Sequence, residues 1–174
     1  MVAVSIFAIV MVIAVGSVLA IVSADKKAQA LNSIISNLNF AAEGMFRDLR
    51  TGYNYDCNSN QNGLNDCIGS DSDPAGHSMS FTSAQSQGKT VTYSLSGGRI
   101  YKEVEGQGSR PYPVTAPEVK VEKLDFYIAG TAHDPIQDNR QPRILIVIAG
   151  KYSGYGSVAT FSLQTLVSQR KLDI

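Results

Sequence analysis

A chain of 174 residues with 15 basic and 15 acidic side chains carries no formal net charge, which removes the electrostatic case for a nucleic-acid or polyanion partner. Hydrophobic residues make up 44% of it, but they are concentrated at the N-terminus, so the remainder is far more polar than that total implies. There is no internal repeat and no long low-complexity tract.

Residues 1–24 contain no charged side chain, and Ser5, Ser17 and Ser23 carry the only hydroxyls. As a helix at ~1.5 Å per residue this stretch is roughly 36 Å long, enough to cross the ~30 Å hydrocarbon layer of a bilayer. Two other readings compete. A secretory signal would have a basic n-region and a shorter apolar core, although Val22-Ser23-Ala24 resembles a cleavage site. A buried helix of a soluble protein would need a larger domain around it.

The helical pattern then turns amphipathic. Ala28, Leu31, Ile35, Leu38, Ala42, Met45 and Leu49 recur at steps of three and four and form one stripe. Glu43 and Arg47 have the spacing of an i,i+4 pair. One continuous helix of about 75 Å is predicted, apolar all round in its first half and one-faced in its second. Thr51-Gly52 supplies a stop, with Gly52 in a left-handed C′ position.

Residues 53–77 are dense in Asn, Asp, Ser and Gly and read as a surface loop. Cys57 and Cys67 lie within it. A bond between them would close a short ring, worth roughly 2–3 kcal/mol in the chain-entropy model. Two independent thiols are the alternative, but the polar surroundings and an extracytoplasmic setting favour the disulfide. In the same loop Asn58, Asn60, Asn62, Gly63 and Asp66 have the alternating oxygen-donor spacing of a calcium loop. Three donors are uncharged, and Gly69 stands where an EF-hand places its bidentate Glu, so calcium is at most a weak ligand and no other cofactor is indicated.

From Met79 the period changes to two. Residues 79–81 and 90–95 are strands, Ser96-Gly97-Gly98 is a hairpin turn and residues 99–104 return. Residues 106–117 form a proline-containing connection. Val119, Val121, Leu124, Phe126 and Ile128 mark a strand whose alternation slips at Glu122-Lys123, as a bulge makes it do. Residues 143–149 and 157–167 complete an antiparallel sheet, joined by Gly154-Tyr155-Gly156. The fold class is α+β: a long helix whose second half covers one face of an antiparallel sheet, divided as residues 1–24, 25–50 and 51–174.

Long apolar helix, amphipathic continuation, two-cysteine loop and antiparallel sheet together resemble the type IV pilin and type II secretion pseudopilin family. The opening Met1-Val2-Ala3-Val4-Ser5-Ile6-Phe7-Ala8-Ile9-Val10 is similar to the apolar segment after that family's prepilin-peptidase motif, and the ending Leu163-Gln164-Thr165-Leu166-Val167-Ser168-Gln169-Arg170 looks like minor pseudopilins of the J-like type. The basic leader, cleavage-site glycine, methylated N-terminal phenylalanine and nearby glutamate of the family belong upstream of Met1 and are missing here; a truncated start is the simpler expectation. A restored leader would also place inward charge against Lys26 and Lys27, which otherwise sit against the positive-inside tendency.

The resemblance implies a structural filament subunit and not an enzyme. It would be held in the inner, or cytoplasmic, membrane by one span, with its domain extracytoplasmic, until it joins other pilin or pseudopilin subunits through the N-terminal helix. Ala3, Ala8, Ala14, Gly16 and Ala20 are the small residues that permit close helix approach there. Gly16 is also the point where the helix would lose regularity. No nucleophile elbow, metal-spaced His pair or phosphate loop accompanies His77 and His133. The alternative is a membrane-anchored extracytoplasmic binding or adhesive domain, because long polar loops on an antiparallel sheet also suit ligand capture.

Overall fold

The computed structural model describes residues 2–57, 77–106, 110–130, 141–154 and 157–170. A single helix, α1 (Val2–Thr51), leads into β1 (Gly52–Cys57), β2 (Ser78–Ser83), β3 (Lys89–Ser96), β4 (Arg99–Val104), β5 (Tyr112–Pro113), β6 (Val119–Ala129), β7 (Arg143–Gly154) and β8 (Ser157–Ser168). The class is α+β, as the two periodicities predict, but the strands form two antiparallel sheets and not one. The first runs β1-β2-β3-β4-β5 and the second β6-β7-β8, each in chain order.

The sheets meet at β6. Val121 N donates to Gly98 O at 2.8 Å, tying β6 to the β3–β4 turn, where Gly97 and Gly98 both take the positive φ of a tight hairpin. The bulge expected at Glu122-Lys123 is present, between Val121 and Lys123. It keeps Val119 and Val121 on the core side before it and Leu124, Phe126 and Ile128 on the same side after it. Ile144, Ile146 and Ile148 of β7 lie beside them as the cross-strand partners of Ile128, Phe126 and Leu124, and Met79, Phe81, Val91 and Tyr93 belong to the same core from the other sheet.

Three expectations change. The helix buries Ile34, Leu38, Ala42, Met45 and Leu49, so Ile34 and not Ile35 belongs to the stripe, and domain packing begins a full turn beyond Ala28. A straight helix drifts relative to a strict seven-residue repeat, and only its last four or five turns reach the domain. Gly52 is not left-handed; it opens β1, and the space a Cβ would need is taken by the Phe81 ring.

The helix end is capped by its own last residue, by the strand that follows and by one distant group instead. Thr51 Oγ1 reaches Asp48 O at 3.3 Å, the Tyr55 hydroxyl donates to Leu49 O at 2.6 Å, and Arg170 N donates to Arg50 O at 2.8 Å. Carbonyls that a terminal turn leaves unpaired thus find partners in β1 and in the segment after β8. Residues 52–57 are accordingly a strand and not the start of a loop, with Asn54 left-handed at a bulge.

Candidate assembly surface

From Val2 to Gln29 every residue of α1 is exposed. By length and composition this is the one described helix able to cross a membrane. Ser17 and Ser23 turn their hydroxyls back onto Ala14 O and Ala20 O, each at 2.8 Å, so neither needs water. The first charged side chain, Asp25, accepts from Gln29 Nε2 at 2.9 Å and begins the polar part of the helix.

The helix runs unbroken through Gly16, where the expected loss of regularity does not occur. The small residues do not share one face. At 3.6 residues per turn Ala3 and Ala14 fall together, Gly16 and Ala20 lie across the helix from them, and Ala8 occupies a third side. A single seam between two helices would put them in line. Their spread fits a helix with neighbours all round, and at Gly16 no atom of the described residues lies within 4 Å of the place a Cβ would occupy.

Beside its apolar stripe, this helix also meets the domain through a polar cluster. Lys102 is on the core side of β4 between Ile100 and Val104, where alternation calls for an apolar residue. Directly opposite it on β3 is Tyr93. Both reach Asp48 of the helix: the Tyr93 hydroxyl donates to Oδ2 at 2.7 Å and Lys102 Nζ forms a short ion pair with the same oxygen. Lys102 Nζ also lies 5.7 Å from the Tyr93 ring centroid, within cation–π range. Burial first, and then the bonded carboxylate, hold the Tyr93 hydroxyl far above the ordinary tyrosine range, so it stays a donor.

Such a buried pair is a weak source of net stability but costly to break on one side. Asp48→Ala strands an ammonium and a hydroxyl, and we expect a loss of about 3 kcal/mol, read by urea unfolding. Asp48→Leu with Lys102→Met removes both charges and should recover most of it. A single variant within about 0.5 kcal/mol of wild type would mean that the cluster does not hold the helix.

A second carboxylate, Asp125, is wholly buried on the side of β6 opposite Phe126. Lys123 Nζ is 2.9 Å from Oδ2 and His77 Nδ1 is 3.5 Å from Oδ1. Neither oxygen has a well-aligned hydrogen bond among the described residues. The carboxylate raises the pKa of Lys123. No group of three His, Cys, Asp or Glu that could hold a metal occurs among the described residues.

The calcium-loop positions Asn58, Asn60, Asn62 and Asp66 lie outside the described residues, as do Cys67 and His133. Cys57 is buried at the end of β1, and no described cysteine is free. Asp48, Tyr93, Tyr55 and Asp125 escaped sequence reasoning. Lys102 was detectable, as a charge at an inward strand position. Glu43 and Arg47 form no ion pair with each other among the described residues.

Comparison with protein-family models, with curated proteins and with solved structures finds no match to this chain.

Proposed function

We propose that this protein is a structural subunit of a type IV pilus-like or type II secretion filament, a minor pilin or J-like pseudopilin that assembles through residues 1–24 and performs no catalysis. The observation that carries the reading is the uninterrupted helix whose first half is apolar and exposed on every side while its second half is docked to a folded domain. An apolar cylinder of this kind needs a non-aqueous partner. Lipid serves before assembly, and a bundle of like helices serves afterwards. Since lipid tails and apolar side chains are similar surroundings, the exchange is close to neutral, and packing of small residues selects the bundle. Single-pass placement with the domain extracytoplasmic, and a Cys57–Cys67 bridge, belong to the same proposal.

The test is Ala14→Glu beside a swap of residues 1–24 for an unrelated apolar span. A carboxylate at mid-span costs ~2.5–3.5 kcal/mol on insertion scales, which still permits anchoring. Within a packed bundle it has no partner, so incorporation into sheared surface filaments, or secretion activity, should be lost while the domain stays folded. Full function with the unrelated span would instead establish the anchored binding or adhesive domain. The bridge is checked on the same purified material by alkylation without reduction: two modified thiols would refute it.

A further inference from the structure

Phe40 is 81% exposed, more than any other large hydrophobic side chain among the described residues, and it stands across α1 from the buried Leu38, Met45 and Leu49. One turn further along the same polar face is Gly44, where no atom of the described residues lies within 4 Å of the place a Cβ would occupy. Each residue breaks a local rule. An aromatic ring is left in water, and the least favourable residue short of proline sits in a helix interior. Neither has a reason within its own chain.

We propose that Phe40 and Gly44 are a knob and notch through which one copy of this chain docks on a parallel second copy displaced by four residues, about 6 Å along the helix axis. The contact rests on the filament reading above. Charge complementarity names the occupant and the offset. With no displacement, Glu43 of one copy faces Glu43 of the other, Arg47 faces Arg47, and the two Phe40 rings collide. A shift of four residues sets Phe40 against Gly44 and Glu43 against Arg47. Two matches follow from one number. Because the shifted contact pairs different residues of the two copies, it is heterologous and lacks the two-fold symmetry of an isologous dimer.

The experiment uses full-length chains in the cells that assemble them, with Glu43→Cys and Arg47→Cys variants expressed together and oxidised in place, so that Phe40 and Gly44 stay intact. Tryptic peptides identify the adducts, since the first variant gives residues 28–47 and the second residues 28–50. The mixed adduct should exceed either symmetric adduct, and adding Phe40→Ala to both variants should abolish it. Gly44→Leu should reduce filament recovery about tenfold. Gly44→Ala should raise Tm by about 3 °C, because the isolated helix gains from it, yet still weaken recovery. Symmetric adducts in excess would overturn the offset. Filaments recovered normally with no adduct, or unaffected by Gly44→Leu, would overturn the contact and leave the filament reading standing. Absence of the wild-type chain from filaments would remove that reading, and the contact with it.

Discussion

A chain that begins at Asp25 is expected to be soluble and monomeric without detergent, whereas the full chain should sediment with membranes or require detergent. The physical ground is the separation of two surfaces along one helix. Every residue from Val2 to Ala24 is exposed, and the first helix residue described as buried is Ile34, so removal of the apolar half takes no described residue from the core. Its Val, Ile, Leu and Phe side chains each favour the bilayer by about 0.3–0.6 kcal/mol on insertion scales, and with more than a dozen of them the partition is decided. Circular dichroism of the shortened chain should retain the sheet signal and lose helix. Ultracentrifugation is the arbiter: a full-length chain that remains monodisperse in buffer alone would overturn the membrane and assembly readings together.

Replacing Gly150 with alanine should cost about 4 kcal/mol, a large share of the stability of a typical domain, although it adds a single methyl group. Gly150 pairs with Val121 on one side and Phe161 on the other. A Cβ there would strike Lys120 O, lie 2.9 Å from Val121 Cα and lie 2.7 Å from Phe161 Cζ. The Phe161 ring could turn aside. The first two atoms are backbone, so β6 could make room only by leaving β7, and it would do so at the bulge that lets both halves of β6 face the core. Phe161→Ala should therefore fail to rescue Gly150→Ala. Gly44→Ala is the matched control, since a Cβ at that position meets nothing within 4 Å. Urea unfolding that places Gly150→Ala within about 1 kcal/mol of wild type would show that the close approach of β6 is not required.

Elements whose signals are local were legible. The change from an all-apolar to a one-faced helix, the return strand Arg99–Val104, the glycine turn before it and the slip in β6 each depend on residues a few positions apart, and sequence spacing reports such neighbours directly. The exposed stem with Ala3, Ala8, Ala14, Gly16 and Ala20 was legible for the same reason, because in an exposed apolar helix composition is almost the whole of the physics. Gly52 shows where this stops. Its position after the helix suggested a left-handed cap, while its actual reason is the Phe81 ring, which belongs to another strand.

Sequence by itself therefore determined the helix, its two surfaces, the positions of six strands, β2, β3, β4, β6, β7 and β8, and the α+β class, since each is a periodic pattern read along the chain; β1 and β5 were read as loop and connection. Tertiary structure alone decided the division into two sheets, the caps on α1 and the partner that Lys102 meets. It also decided the rotation of the helix that buries Ile34 and Asp48 and leaves Phe40 outside. Tyr93 and Asp48 are 45 positions apart, and Lys102 and Asp48 are 54 apart. A charge in a core is tolerable only beside its opposite, and no pattern of spacing says which distant residue the fold will bring to meet it.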